Sequence, residues 1–121
     1  KLFVTVLYTY QYIEVDQNTN NHFCTIVRII SDCSVRTDKP YTSAEPPEFF
    51  SYCHSTDHGL TVHPHTGTVC ATEHGPKGGD EVNLINKGAN YGWPVITYGI
   101  DYSGEVISDK THKEGMAQPW L

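Results

Sequence analysis

The chain is organised around residues 71–94, which read ATEHGPKGGDEVNLINKGANYGWP and hold five of its ten glycines. The glycines and proline of His74–Gly79 exclude a helix or a strand interior and predict a loop with exposed backbone carbonyls and amides. Asp80–Ile85 alternates polar and apolar residues, which predicts a half-buried strand. Asn86–Gly88 is predicted to close this strand as a turn.

Two adjacent carboxylates follow the glycine-rich loop. Successive strand residues point to opposite faces, so Asp80 and Glu81 can serve two different sites. A loop rich in unpaired carbonyl oxygens, followed by carboxylates, offers the all-oxygen ligand set that a hard cation such as calcium requires. The pattern therefore indicates a calcium-binding segment.

The rest of the chain predicts short strands and turns. No segment keeps helical periodicity over ten residues, and turn signals recur every ~8–12 residues, which is typical of an all-β sandwich, barrel or propeller. The polar, proline-containing stretch Arg36–Pro47 is predicted to be a surface loop. The predicted strands are Leu2–Tyr8, Tyr10–Val15, Thr25–Ile30, Phe49–Tyr52, Leu60–His63 and Thr68–Thr72.

Composition limits the class of partner. The 121 residues carry a formal charge of −6, which argues against nucleic acid or an anionic membrane surface as partner. No apolar run approaches the ~20 residues of a membrane span. The sequence starts without Met at Lys1, inside an apolar run, and ends on Trp120 and Leu121. These ends lead us to expect a fragment of a longer protein, in which targeting signals cannot be read.

Cysteine and histidine offer two further hypotheses. Four cysteines show no Cys-x-x-Cys spacing, so a zinc knuckle is disfavoured, while a disulfide in an oxidising compartment stays open with three connectivities. Four histidines within twelve residues suggest zinc, yet they lack two closely spaced ligand pairs. We interpret His54 as a structural hydrogen-bonding residue. The cysteines are Cys24, Cys33, Cys53 and Cys70, and the histidines are His54, His58, His63 and His65.

The run ATEHGPKGGDEVNLINKGANYGWPVITYGIDYSG closely resembles the soluble sugar dehydrogenases that depend on pyrroloquinoline quinone (PQQ), and most of all the aldose sugar dehydrogenase branch of the glucose/sorbosone dehydrogenase family. The segment NHFCTIVRIISDCSVRTDKPYTSAEPPEFFSYCHS is similar to the family sequence that leads into this loop. The resemblance implies a six-bladed β-propeller, of which residues 1–121 would form one partial domain of about two blades. It also implies glycine where Cys24, Cys33 and Cys53 stand, and often an aromatic residue at Cys70.

The resemblance assigns two groups of binding residues. The main-chain oxygens of Gly75 and Pro76 would hold the calcium ion that bridges to PQQ, and His74 and Asp80 would line the cofactor and sugar pocket. A second, structural calcium ion would be held by Glu81, Tyr91 and Asp101, with Tyr91 giving its main-chain oxygen.

One departure concerns the PQQ site. The family motif Gly-His-Arg-Asn-Pro-Gln-Gly aligns with residues 53–59, where Ser55 replaces the arginine that pairs with PQQ and Asp57 adds a negative charge. In the family, the general-base histidine precedes the residue that matches Lys1, and further basic residues follow the one that matches Leu121. The complete site would therefore need residues outside this chain.

Three hypotheses follow. The first is a fragment of a PQQ- and calcium-dependent dehydrogenase that oxidises aldoses at the anomeric carbon, inactive alone and reoxidised by an external electron acceptor. The alternative is a non-catalytic, calcium-stabilised propeller that acts as a binding module, favoured by Ser55. The third is a decayed or misread copy, favoured by cysteine at glycine positions. The family further implies a periplasmic or secreted protein and a possible homodimer.

Overall fold

The computed structural model describes residues 1–6, 19–32, 34, 37–38 and 46–121. In this part of the chain there are six β-strands and no helix. The strands are β1 (Leu2–Val6), β2 (Thr25–Ile29), β3 (Phe49–Tyr52), β4 (Thr56–Val62), β5 (Val69–His74) and β6 (Glu81–Ile85). The strands form two antiparallel three-stranded sheets, in the orders β1-β2-β3 and β4-β5-β6.

The first sheet is built from β-branched and aromatic residues, which pack well on a pleated surface. Leu2 pairs with Ile29 and Val6 with Thr25 across β1 and β2. Thr25 pairs in turn with Tyr52 of β3, and the register shifts between Ile26 and Val27. This register turns Ile26 and Phe50 inward, where both are buried.

The second sheet carries the glycine-rich loop between β5 and β6. Strand β5 alternates strictly, with Val69, Ala71 and Glu73 buried. A bulge interrupts the pairing of β4 with β5 between Asp57 and Gly59. A side chain at Gly59 would lie 2.6 Å from the Thr72 hydroxyl, so glycine lets the two strands approach at the bulge.

The hydrophobic core lies between the two sheets, because both sheets contribute to one cluster of buried residues. The ring of Phe3 meets that of Phe50 edge to face, with centroids 5.0 Å apart. The cluster consists of Ile26, Phe50, Val69, Ala71, Ile85 and Tyr91, with Phe3, Leu60, Ala89 and Ala117 packed against it.

The segment after β6 has no named strand but is held to both sheets by backbone hydrogen bonds. Asn90 bridges to Tyr52 of β3 and to Met116. The Trp120 amide donates to the Val82 carbonyl of β6 at 2.8 Å. Within the described ranges, no helix is long and apolar enough to cross a membrane.

Several strand boundaries differ from the prediction, most of all that of β4. Strand β5 covers Val69–His74 rather than Thr68–Thr72, so His74 ends a strand and does not begin the loop. Strand β4 runs over Thr56–Val62 rather than Leu60–His63, because its first four residues are polar or glycine and include the bulge. The predicted strand Tyr10–Val15, the end of Leu2–Tyr8 and most of the loop Arg36–Pro47 lie outside the described residues.

Two buried cysteines adopt a backbone conformation that favours glycine. Cys24 has φ 56° and Cys53 has φ 61°, both in the left-handed region. These are two of the positions where the resemblance implies glycine, so the backbone agrees with that expectation. Among the cysteines described, which are Cys24, Cys53 and Cys70, no disulfide forms.

Candidate functional site

The loop between β5 and β6 is compact and packs against its own backbone. A side chain at Gly75 would collide with the carbonyl oxygens of Gly78 and Gly79. The amide of Lys77 donates to the Ile100 carbonyl at 2.9 Å, and the Ile100 amide donates back at 3.3 Å. The loop therefore keeps the carbonyl oxygens of Gly78 and Gly79 close together above Gly75.

His74 and Asp80, the two predicted pocket residues, meet at the ends of this loop. His74 Nδ1 lies 3.2 Å from Asp80 Oδ1, which also accepts the Gly75 amide at 2.9 Å. His74 Nε2 lies 3.0 Å from the Tyr102 hydroxyl. The ring of His58 stacks on that of His74 with centroids 5.7 Å apart. Two imidazoles, a carboxylate and a phenol therefore share one exposed surface.

This surface borders a solvent-open cleft of about 360 Å³. Three of its eight lining residues are acidic and two are histidines, and Val82 and Leu121 form an apolar side. Lysine and arginine are missing from the described residues that line it. The lining residues that carry chemistry are His58, Glu73, His74, Asp80 and Glu81.

A second, much smaller cavity of about 10 Å³ lies beneath the loop. Glu73 and Glu81 line it together with Gly75 and Tyr91. The Tyr91 hydroxyl donates to the Leu84 carbonyl at 2.6 Å and accepts the Asn86 amide at 2.8 Å, so its side chain is already engaged. Burial raises the pKa of Glu81, the Asn83 hydrogen bond opposes this, and the Glu73 charge reinforces it.

Asp101 does not line this cavity. Its Oδ1 accepts the Ser103 amide at 2.8 Å in a surface turn, and that hydrogen bond lowers the pKa of Asp101. The preceding residue, Ile100, pairs with Lys77 of the loop. Of the predicted structural calcium ligands, the structure therefore brings Glu81 and Tyr91 together and leaves Asp101 at the neighbouring turn.

A buried polar cluster lies below the cleft, and sequence reasoning missed most of it. His54 Nδ1 lies 2.7 Å from Glu73 Oε1, and His54 Nε2 lies 2.8 Å from the Ser51 hydroxyl. The Asn83 amide donates to Glu73 Oε1 at 2.7 Å. The His54 ring also stacks on Tyr91 at 4.5 Å. His54 is therefore the structural hydrogen-bonding residue that we expected, with Glu73 as its main partner.

Asp57 completes this cluster from the neighbouring strand. It pairs with Glu73 across β4 and β5, and its Oδ1 lies 3.8 Å from His54 Nδ1. Burial raises the pKa of Asp57 to about 7, with the His54 charge opposing and the Glu73 charge reinforcing the shift. Burial would lower the pKa of His54, but its hydrogen bond to Glu73 and the surrounding carboxylates outweigh burial and raise it.

A signal for this cluster was present in the strand pattern. Glu73 continues the inward positions of Val69 and Ala71, and Asn83 shares the inward face of β6 with Ile85. Polar residues in apolar registers indicate buried hydrogen-bonding or ligand groups. Asp57 had no such signal, because the bulge sets its direction.

The serine at the predicted arginine position is tied into the same scaffold. The Ser55 amide donates to Glu73 Oε2 at 2.7 Å, and its hydroxyl donates to the His74 carbonyl at 3.2 Å. Ser55 therefore connects the buried cluster to the loop that shapes the cleft.

The residues fit calcium better than they fit PQQ alone. The crowded carbonyls of Gly78 and Gly79 and the Glu81 carboxylate at the small cavity are oxygen donors of the kind that calcium prefers. For an anionic quinone the cleft offers the rings of His58 and His74 but, in its described lining, no lysine or arginine. A bound calcium ion would supply the missing positive charge.

Two three-stranded antiparallel sheets with a shared core fit two consecutive blades of a β-propeller. A family profile described as Glucose / Sorbosone dehydrogenase matches residues 1–121, and the chain belongs to this family. The expectation of an all-β chain forming about two blades of a six-bladed propeller is thereby confirmed.

Individual relatives agree with this assignment. Aldose sugar dehydrogenase YliI of Escherichia coli is 40% identical over 86 residues, covering 69% of this chain and 23% of the relative. A crystal structure of a glucose dehydrogenase superposes with TM-score 0.91 at 36% identity, covering 97% of this chain and 35% of that one. The PQQ-bound aldose sugar dehydrogenase of Streptomyces coelicolor gives TM-score 0.66 at 25% identity, covering 89% and 28%. The chain thus spans about a third or less of these relatives.

Proposed function

We propose that this chain forms the calcium-binding loop and part of the substrate pocket of a PQQ- and calcium-dependent dehydrogenase that oxidises aldoses at the anomeric carbon. The observation that carries the proposal is the meeting of His74 and Asp80 at an open cleft beside the glycine-rich loop. Family membership supports the general activity, and the PQQ-bound state of a relative supports the cofactor.

Asp80 organises the loop in this proposal. Its carboxylate accepts the Gly75 amide and faces His74, so one side chain orients both the first loop residue and the pocket imidazole. Main-chain oxygens of Gly75 and Pro76 would hold the calcium ion that bridges to PQQ, since proline restricts the loop geometry. Glu81, with the main-chain oxygen of Tyr91 and with Asp101, would hold the second ion.

His74 and Tyr102 would bind a sugar in the cleft as a pair of hydrogen-bonded polar groups. His74 Nε2 is within hydrogen-bond distance of the Tyr102 hydroxyl, and both groups are exposed. When bound, PQQ supplies the oxidising chemistry by accepting two electrons from the sugar. By resemblance, the general-base histidine of the family matches no position in residues 1–121, so these residues alone are expected to be inactive.

The proposed setting follows from the same family. The protein would work in the periplasm or outside the cell and pass electrons to an external acceptor. The homodimer stays a prediction.

The test uses the natural protein, stripped of metal with EDTA and reconstituted with PQQ and calcium. Reduction of dichlorophenolindophenol by glucose or another aldose is expected only when both are present. Asp80→Asn should lower this rate roughly tenfold or more, because a charged hydrogen-bond partner is lost, while Asp109→Asn on the exposed surface keeps it. The proposal would be contradicted if the protein reduced no dye with PQQ and calcium both present and with any of the aldoses tested.

A second candidate is a non-catalytic, calcium-stabilised propeller that binds a partner. Ser55, internally hydrogen-bonded where the family has a cofactor-binding arginine, favours it. Calcium stabilisation without PQQ binding or dye reduction would support this alternative.

A further inference from the structure

Three potential metal ligands converge in the buried cluster. His54 lies in the connection after β3, Asp57 lies on β4 and Glu73 lies on β5. One ligand atom from each residue lies within 4.8 Å of the other two. The residues expose only 0%, 3% and 5% of their surface, respectively, so water cannot solvate these groups as it does a surface acidic patch.

The environment of Asp57 is the main evidence for a bound cation. Asp57 Oδ1 is buried and has no hydrogen-bond donor within the described part of the chain. Asp57 is also the direct cross-strand neighbour of Glu73, and like charges in that arrangement destabilise a sheet. A buried carboxylate without a donor is costly unless it is neutralised or coordinates a metal.

The spacing of the ligand atoms suits a small ion. Metal–ligand bonds of about 2.0–2.2 Å in a tetrahedral site place ligand atoms roughly 3.3–3.6 Å apart. The separation from His54 Nδ1 is 2.7 Å to Glu73 Oε1 and 3.8 Å to Asp57 Oδ1, on either side of that value. Shifts of well under 1 Å would bring these two separations to that value.

A supporting hydrogen bond is already in place. Metal-binding histidines usually donate their second ring N–H to a fixed acceptor, which selects the tautomer and orients the ring. The buried Ser51 hydroxyl lies 2.8 Å from His54 Nε2 and can accept that N–H. A bound metal would displace the proton that Nδ1 otherwise donates to Glu73, and the freed lone pair would then face the two carboxylates.

We propose that His54, Asp57 and Glu73 form a buried structural site for a divalent first-row transition ion such as Zn²⁺. One imidazole with two carboxylates selects such an ion over calcium, which prefers oxygen ligands alone. The site adjoins the proposed calcium ligand Glu81, which shares the Asn83 amide with Glu73, but it uses different ligands and does not depend on the proposed dehydrogenase activity.

The test measures zinc in the natural protein with calcium held at saturation. After stripping with dipicolinate and exposure to ZnCl₂, gel-filtered protein is expected to retain one zinc per chain and to melt at a higher temperature. Asp57→Asn should abolish both effects. Asp109→Asn, which removes the same charge at an exposed position, should change neither.

Two further variants separate this site from alternatives. Ser51→Ala keeps all three ligands and should weaken zinc binding by about 10–100-fold. The double variant His63→Gln/His65→Gln removes two exposed histidines whose rings lie 5.9 Å apart, and it should retain zinc fully. Loss of zinc in that variant would place the metal at the surface and overturn the proposal.

Folding of the key variant is controlled directly. In chelator, Asp57→Asn should melt no lower than the wild type, because it removes a buried carboxylate whose Oδ1 has no hydrogen-bond donor. Should it fail to fold, Co²⁺ added to the wild type must give the visible absorption of a tetrahedral site. Absence of that absorption, or zinc retention by Asp57→Asn equal to the wild type, would overturn the proposal.

Discussion

His54 Nδ1 lies 2.7 Å from Glu73 Oε1, in a position where both residues are almost completely buried. The bond connects the end of the first sheet to the middle strand of the second. The remaining Glu73 oxygen accepts the Ser55 amide, so one carboxylate fixes the connection between the sheets and the segment that leads into the cleft.

Replacing Glu73 with Gln should destabilise the protein by about 3 kcal/mol. Both Glu73 oxygens accept hydrogen bonds, from His54 and Asn83 on one side and from Ser55 on the other. An amide has one oxygen and one donor nitrogen, so at least one buried donor would face another donor. Urea unfolding in chelator measures the loss, and the exposed control Glu105→Gln should change stability by less than about 0.5 kcal/mol. Equal stability of both variants would contradict this role.

The stability of the metal-free protein should fall as pH rises from about 4 to 7. The folded pKa of Asp57 is about 7 against an ordinary 3.8, so in this window the folded state binds a proton that the unfolded state releases. By linkage, the free energy of unfolding that this proton contributes is complete below the pKa of the unfolded state. It is lost as pH rises through the pKa of the folded state. The raised pKa of His54 acts in the same direction.

Urea unfolding at several pH values measures this slope. Asparagine at position 57 does not titrate. The free energy of unfolding of Asp57→Asn should therefore change less between pH 4 and 7 than that of the wild type, by on the order of a few kcal/mol. An unchanged slope in the variant would show that Asp57 is ionised in the folded protein.

Calcium should raise the melting temperature of the natural protein, and EDTA should lower it. Each ion that binds only the folded state stabilises it by about 2.7 kcal/mol at a hundredfold excess over its dissociation constant. Glu81→Ala should remove one of the two ions and leave the other, which uses main-chain oxygens of Gly75 and Pro76. Calcium content per chain measures this, with Glu105→Ala as the control. Identical calcium content in both variants would remove Glu81 from the metal site.

Ser55→Arg should strengthen PQQ binding by about tenfold or more, because a charged hydrogen bond contributes about 1.5–3 kcal/mol. The backbone amide of residue 55 keeps its bond to Glu73 whatever the side chain, and only the hydroxyl bond to the His74 carbonyl is lost. Calorimetric titration of calcium-loaded protein with PQQ measures the gain. Ser55→Gln, similar in length but neutral, should not reproduce it. An equal effect of the two variants would exclude a charge interaction.

Cys53→Gly should be more stable than Cys53→Ala by about 1 kcal/mol, the reverse of the usual order. Both variants lose the same buried sulfur, but only glycine relieves the left-handed backbone at φ 61°. Thermal or urea unfolding of the two variants isolates the backbone effect. If Cys53→Ala is as stable as Cys53→Gly, or more stable, residue 53 does not adopt this conformation.

Local sequence patterns determined much of the fold. The β-branched run of β2 and the alternation of residues 80–85 predicted strands close to the observed β2 and β6, because burial of one face imposes a period of two. The glycines and proline of residues 74–79 predicted the loop through their turn preference. The structure adds that backbone crowding admits no side chain at Gly75. The long match around that loop also indicated the family that the comparisons show.

Only the tertiary structure decided the buried cluster and the layout of the cleft. His54, Asp57 and Glu73 meet because a bulge in β4 and the register with β5 place them together, and neither can be read from spacing along the chain. The same packing directs Glu81 toward Tyr91 at one cavity, while Asp101 stays in its own turn. Short-range preferences of the backbone are encoded residue by residue, whereas the meeting of distant charges depends on strand register, which is settled only when both sheets bury their common core.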